Sequence, residues 1–358
     1  MIPLIVDLET EWRGGQSQML LLLKGLYERG HAAELITVKG SPLAHHARRE
    51  GIYVHTISKR ARRFRAAARI RSVMADGRID LVHVNEAHAL TAAWLAGVHR
   101  RVPLLSSRRI GFPLQKNWIS RARYAALEKF VANSKAVARS VIDSGFPSER
   151  IAVVNEGVEI PALVQPHERQ LARKRWGVAD DEYLIGCASA FVPEKGQRHL
   201  VNALPAVKEQ FPKVRLLLVG EGRCRAEVQG LTMRLNLESS VLLPGFTSNM
   251  REFYAALDAF AFPSEFEGLG TALQAAMAYA LPAISTTRGA LGEVVDAGRT
   301  ALVAEPDAPS FAAAIIQLMR DPELQRRLAD AGRQEIKNRF SVDRMVENTL
   351  NLYQQLLR

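Results

Sequence analysis

The stretch "PSEFEGLGTALQAAMAYALP", residues 263–282, decides how this chain is read. It continues the apolar run "AFAFPS" and opens into an alanine-rich segment, so it reads as buried strand, turn and helix. A helix that begins this way leaves the amides from Gly268 to Thr271 unpaired at an end carrying about half a positive charge. That end attracts anions. Glu267 stands just before it and, when ionised, can accept two sugar hydroxyls or simply cap the helix; the loop alone leaves both open. Ala275 occupies a place where the helix could have carried a second carboxylate.

Outward from this loop, short apolar runs alternate with longer helical stretches, the pattern of parallel sheets covered by helices. The first half offers seven strands: "IPLIVDL", "AAELITV", "IYVHTI", "DLVHV", "PLLSS", "KFVANS" and "RIAVVNEG". The second half offers six: "YLIGCAS", "RLLLVG", "SVLLPG", "AFAFPS", "LPAIST" and "TALVAE". Between the two series the polar, Pro-bearing stretch 157–170 reads as a linker. At 358 residues, two separate cores are expected. The expectation is an α/β protein of two doubly wound domains, with ligands at the carboxyl ends of the strands. The boundaries fall at 1–160, joined by a returning helix at about 342–358, and at 161–341.

Two further loops have the strand-to-helix form. "WRGGQSQ" sets Gly14 and Gly15 before a helix, where glycines let backbone approach a phosphate or sugar closely, although a plain turn reads the same way. "CASAFVPEKGQRHL" sets Lys195 and Gly196 at a helix start, where the ammonium is either a point charge for a diphosphate or a solvated surface group.

Composition narrows the class. Apolar runs such as "MLLLL" at 19–23 are far shorter than the roughly 18 residues of a membrane span. The segment "MIPLIVDLETEW" carries acids and no basic lead, and reads as a first strand, not as a signal peptide. Two cysteines, Cys187 and Cys224, make neither a disulfide framework nor a metal motif. A cytoplasmic location is expected. The formal charge of +11 lies wholly in residues 1–160, which hold 25 Lys/Arg against 14 Asp/Glu, while the remainder balances at 23 each. It peaks in "KRARRFRAAARIR", residues 59–71. That block reads as a solvated helix face or as a contact with an anionic inner-membrane surface. Nucleic acid is disfavoured, because one aromatic and no recognition motif accompany it.

Together these stretches resemble retaining glycosyltransferase family 4, of the glycosyltransferase group 1 type, over essentially the whole chain. The residues that carry the likeness are "GG" at 14–15, "VANSKAV" at 131–137, "VVNEGVEI" at 153–160, "PEKG" at 193–196, "LLLVGEG" at 216–222, "VLLPGF" at 241–246, "PSEFEGLGTALQAAMA" at 263–278 and "RGALGEVV" at 288–295. The resemblance implies the GT-B fold: two Rossmann-like domains facing across a cleft, and a C-terminal helix that returns to the first domain. It implies a nucleotide-sugar donor, held mainly by the second domain, and an acceptor, held mainly by the first. By the same resemblance Glu267 contacts the donor sugar, Gly268, Leu269, Gly270 and Thr271 meet the diphosphate, and Lys195 neutralises the leaving group. Gly14 and Gly15 close over the donor, with Gly222 and Phe246 also on the donor side. No metal or other cofactor is implied, and no Asp-x-Asp pair occurs.

The departures are as specific. Ala275 stands where the family carries the acid that holds the ribose, a bond worth about 1.5–3 kcal/mol. Ser189-Ala190 replaces a frequent Gly-Arg before Lys195. Arg108 and Arg109 stand near where many members have a histidine; either faces the cleft as an added cation, Arg108 being taken as the catalytic one, or makes structural stacking or an external ion pair. His83 and His88 either line the acceptor side or make strand-end hydrogen bonds; Thr247 and Asn249 lie where the base is read. The expected function is transfer of a sugar, from a UDP-sugar first of all, to a cell-envelope glycan or lipid-linked acceptor. The alternatives are a transferase with a soluble acceptor and a sugar-nucleotide-binding protein with little or no turnover.

Overall fold

A computed structural model describes all 358 residues, and the chain divides into two compact units, Met1–Gly157 with Val342–Arg358, and Val158–Ser341. In the first, strands β1 (Pro3–Asp7), β2 (Glu34–Val38), β3 (Tyr53–Ile57), β4 (Leu81–Val84), β5 (Leu104–Arg108), β6 (Lys129–Ala132) and β7 (Ile151–Val153) alternate with helices. These are α1 (Gly14–Glu28), α2 (Pro42–Arg49), α3 (Arg62–Val73), α4 (Ala87–Ala96), α5 (Trp118–Ala125) and α6 (Lys135–Asp143). The sheet is parallel, in the order β3-β2-β1-β4-β5-β6-β7. Strand order therefore reverses between β1 and β4, the place where doubly wound sheets open a crevice for ligands.

The second unit holds α7 (Pro166–Arg175), β8 (Tyr183–Ala188), α8 (Gln197–Gln210), β9 (Val214–Val219), α9 (Arg225–Arg234), β10 (Val241–Gly245), α10 (Met250–Ala256) and β11 (Ala259–Phe262). It continues through α11 (Thr271–Ala278), β12 (Ala283–Ser285), α12 (Leu291–Val294), β13 (Leu302–Val303), α13 (Ala308–Arg320) and α14 (Pro322–Arg339). Its parallel sheet runs β10-β9-β8-β11-β12-β13, with the switch between β8 and β11. Every strand falls on one of the apolar runs named above, with β5 and β9 each reaching one residue past its run. The central strands are buried on both faces, as in "LIVD" and "AFAF", which is why they read as continuous apolar runs, whereas β3, β7 and β10 at the sheet edges are partly exposed.

The final helix, α15 (Val342–Leu356), belongs to the first unit. Met345, Val346, Leu350 and Tyr353 are buried with Leu22, Leu23 and Leu26 of α1 in one apolar layer. The approach is close enough that a Cβ on Gly25 would stand 2.4 Å from Val346. On the other face of that sheet, α3 and α4 pack over Val82, Val84 and Phe130.

The expected linker at 157–170 is only partly irregular, because α7 begins at Pro166. The sequence Gln165-Pro166-His167-Glu168 is a helix start: proline is preset for the first helical position, and the Glu168 carboxylate accepts the Gln165 amide at 2.9 Å. Its polarity disguised it as linker.

Candidate active site

In the second unit, three loops at the carboxyl ends of β8, β11 and β12 are stitched together. The amide of Glu265 donates to the carbonyl of Glu194 at 2.8 Å, tying the 263–270 loop to the turn that carries Lys195. Gly196 sits at φ +65 with the Pro263 carbonyl 2.3 Å from where a Cβ would be, so only glycine lets the two loops close. Gly289 fixes the third loop: φ is +64, and the Ala290 amide donates to the Glu267 carbonyl at 3.1 Å.

This stitching puts the Lys195 ammonium on the Glu267 carboxylate in an ion pair that is mostly shielded from water. The other Glu267 oxygen accepts the Gly268 amide at 3.0 Å. Gly270, at φ +63, turns the chain into α11, whose first turn has no side-chain cap and no acid of its own. Amides from Gly268 to Thr271 and one ammonium therefore gather beside one carboxylate. That set can hold a diphosphate through the cation and the helix end, and sugar hydroxyls through the carboxylate.

The loop backbone is braced from behind. Buried Gln274 donates to the Leu269 carbonyl at 2.9 Å, and Thr286 donates to the Ser264 carbonyl at 2.6 Å. Gln197 donates to Ser189 Oγ at 2.8 Å and to the Ala190 carbonyl at 2.9 Å, so the Ser189–Ala190 segment is held in a fixed shape. Gly222, at φ +155, leaves room for the backbone of Phe191. Phe246 is exposed at the end of β10, whereas Asn249 caps α10, accepting the Glu252 amide at 3.2 Å, and Thr247 accepts the Asn249 amide at the same distance.

In the first unit, four strand ends converge on a buried polar cluster that the sequence did not disclose. Asp7, after the apolar core of β1, accepts Gln16 Nε2 at 2.9 Å, the Glu9 amide at 2.9 Å and Asn85 Nδ2. Asn85 in turn accepts from Arg109, whose guanidinium pairs with Glu156 at 2.7 Å. Burial pushes the Asp7 carboxyl up, against the hydrogen bonds that hold it ionised. Gly15 lies on this cluster: a Cβ there would meet Asn85 Nδ2 at 3.4 Å and Arg109 at 3.8 Å. The cation beside the glycine turn is thus Arg109. Arg108, the expected catalytic arginine, donates instead to the Phe112 carbonyl of its own loop, because alternate residues of a strand point to opposite faces.

His83 is buried, with one ring nitrogen on Tyr353 Oη at 2.7 Å and the other on Ser107 Oγ at 2.9 Å. Burial, with Arg109 nearby, holds its pKa down to about 3, so it is neutral and structural. His88 receives Arg63 Nε at 2.8 Å. Glu86 caps α4, accepting the Ala89 amide at 2.7 Å, the Leu8 amide at 3.2 Å and the His88 amide; burial raises its pKa to about 7. Ligand atoms of Glu9, Glu86 and His88 lie within 4.8 Å of one another, but Arg62 and Arg63 already bring positive charge to that corner.

Two family models match this chain: Glycosyltransferase Family 4 over residues 12–160 and Glycosyl transferases group 1 over residues 168–335. Between them the two models span most of residues 12–335. The chain is a glycosyltransferase. N-acetyl-alpha-D-glucosaminyl L-malate synthase of Bacillus anthracis is 26% identical over 94% of the transferase and 92% of its own length. EpsD of Bacillus subtilis, a glycosyltransferase by name, is 31% identical over 58% of the transferase and 55% of EpsD, so that match spans about half of each protein. The lipopolysaccharide core biosynthesis glycosyltransferase LpsE of Rhizobium meliloti is 28% identical over 62% and 63%. Among solved structures, a glycosyltransferase from Rickettsia africae superposes with a TM-score of 0.89 at 20% identity, covering 100% of the transferase and 98% of that chain. Anabaena HepE in complex with UDP gives 0.87 at 21% identity, covering 99% and 100%. The transferase therefore has the GT-B fold of two Rossmann-like domains.

Proposed function

We propose that the chain transfers a sugar from a nucleoside-diphosphate sugar, UDP-linked, to a cell-envelope glycan or lipid-linked acceptor, with retention at the anomeric carbon and without a metal. The observation that carries this reading is the Lys195–Glu267 pair at the open end of α11. In the free protein the two charges neutralise each other. A donor separates their tasks: the ammonium and the Gly268–Thr271 amides take the diphosphate, and the carboxylate takes sugar hydroxyls.

The bond from the anomeric carbon to the phosphate oxygen breaks as charge builds on the diphosphate. The acceptor hydroxyl attacks from the same face, and its proton passes to the departing phosphate oxygen. No protein nucleophile is needed; the chain supplies position and fixed charge. Phe246, exposed at the end of β10 in the same unit as Lys195 and Glu267, offers a face to the base. The UDP in the HepE complex and the lipopolysaccharide core role in the name of LpsE support the choice of donor and acceptor class. The cytoplasmic face of the inner membrane is the place this chemistry requires, with the α3 arginines against anionic lipid. No helix is long and apolar enough to cross a membrane.

A binder with little turnover is the second reading, favoured by Ala190 and Ala275, each of which removes a charge from the donor site. Calorimetric titration with UDP, GDP and ADP and their sugars, in the presence of EDTA, tests the proposal. Micromolar binding of one donor, followed by transfer to an envelope-lipid extract, supports the transferase. Absence of binding by all of them sinks the donor site.

A further inference from the structure

The first unit contains a second concavity, a hollow of about 460 Å³ between residues 114–116, α5 and the turn at 144–150. Its size is that of a small-molecule pocket. Leu114, Tyr124 and Phe146 give it an apolar floor, and Lys116, Arg121 and Arg150 stand around it. Arg150 is fixed there by donating to the Ala125 carbonyl at 3.1 Å and by lying 5.4 Å from the Phe146 ring centre. No carboxylate lines the hollow, and the chain has no Asp or Glu from Ala87 to Leu127. Arg109 and Arg78 of the same unit have acidic partners, whereas Lys116 and Arg121 have none.

The position separates this hollow from the site already described. Helices α5 and α6 end where β6 and β7 begin, so the hollow lies at the amino ends of the strands, while Asp7, Asn85 and Arg109 lie at or beyond the carboxyl ends. Trp118 is one helical turn before Arg121 on the same side of α5 and is 74% exposed. Phe112, in the preceding loop, is 63% exposed. An exposed tryptophan beside unpaired cations and an apolar pocket is the chemistry of a bilayer interface, where the ring sits among headgroups and the cations meet phosphates.

We propose that this hollow holds one lipid of an anionic bilayer. The phosphate is met by Lys116, Arg121 and Arg150, the first part of an acyl chain lies on Leu114, Tyr124 and Phe146, and Trp118 sits in the interface. Helices α3, α4 and α5 lie on the same side of the sheet, and the start of α3 lies toward the carboxyl ends of the strands, where Arg62 donates to the Leu8 carbonyl, so the hollow is a separate contact from the α3 arginines. The inference does not depend on the donor site.

The test is co-sedimentation and tryptophan emission with phosphatidylcholine vesicles, with and without phosphatidylglycerol. The chain is compared with Lys116→Ala/Arg121→Ala, with Arg65→Ala/Arg69→Ala and with Trp118→Phe. Loss of two cations at the hollow is expected to weaken partition into anionic vesicles about 30-fold. The blue shift on binding should vanish in Trp118→Phe, and UDP titration should stay as in the parent. Binding of Lys116→Ala/Arg121→Ala at the parent level overturns the proposal, as does a blue shift that survives loss of Trp118. Binding of free glycerol phosphate as tight as that of vesicles would assign the cations to a soluble anion and overturn it as well.

Discussion

A Cβ on Gly289 would stand 2.1 Å from the carbonyl oxygen of Glu267, closer than any real contact, at a φ of +64 that side chains resist. The carboxylate proposed to hold the sugar therefore owes its position to a residue more than twenty places further on. Gly289→Ala should lift the 263–270 loop and lower transfer at least tenfold. Gly292→Ala is the control, because the nearest atom to a Cβ there lies 3.5 Å away. Equal activity of the two variants would show that the loop position is not critical.

Lys195 and Glu267 should not behave as independent residues. Lys195→Ala leaves a half-buried carboxylate without its cation and removes the charge that stabilises the leaving diphosphate, so kcat should fall about 10²- to 10³-fold. Glu267→Gln frees the ammonium, so UDP itself should bind as tightly or more tightly while sugar transfer is lost. A double variant no worse than Lys195→Ala would identify them as one functional unit.

Ala275 lies on α11, partly buried against the core behind the donor loop. Ala275→Glu adds a carboxylate on the helix that carries the proposed donor amides. UDP affinity should rise about 10- to 100-fold, the equivalent of one charged hydrogen bond. Calorimetry with UDP and with UMP decides it, and an unchanged Kd for both would mean that the ribose is held elsewhere.

Glu86 and His83 act on stability in opposite directions. Burial raises Glu86 to about 7 from an ordinary 4.5, so its proton is held more tightly in the folded chain. Stability from this group is complete below about pH 4.5 and is lost as pH rises through 7. His83, held down to about 3, gives stability above pH 6.5 that is lost on acidification. Glu86→Gln should remove the first dependence alone. The stability difference between parent and variant should shift by on the order of 3 kcal/mol between pH 4.5 and pH 8 in urea melts. A constant difference would mean that Glu86 titrates normally.

Legibility followed locality. The strands were plain because buried parallel strands are unbroken apolar runs, and the 263–271 loop was plain because strand, acid, glycines and helix follow one another directly. The cluster of Asp7, Asn85, Arg109 and Glu156 was not. Its members come from the ends of β1, β4, β5 and β7, and only the sheet order brings them together. One signal was available: each is a polar residue at or just beyond the carboxyl end of an apolar strand. Between Arg108 and Arg109 the composition could not choose, since one residue of register on a strand decides which face each takes. His83 read as an acceptor contact or as a strand-end hydrogen bond; the structure has the hydrogen bond, and only the return of α15 reveals Tyr353 as its partner.

That returning helix also sets the order in which the chain can be completed. The apolar side of α1 is made early, but Met345, Val346, Leu350 and Tyr353, which cover it, emerge about 190 residues after β7. At 5–20 residues per second the ribosome needs roughly 10–40 s for that interval. Throughout it, Leu22, Leu23 and Leu26 wait without their lid while the second unit is being made, and that unit is complete before α15 emerges. A nascent chain stalled just beyond Ser341 should therefore present a complete second unit tethered to an unfinished first one, the form that chaperones recognise.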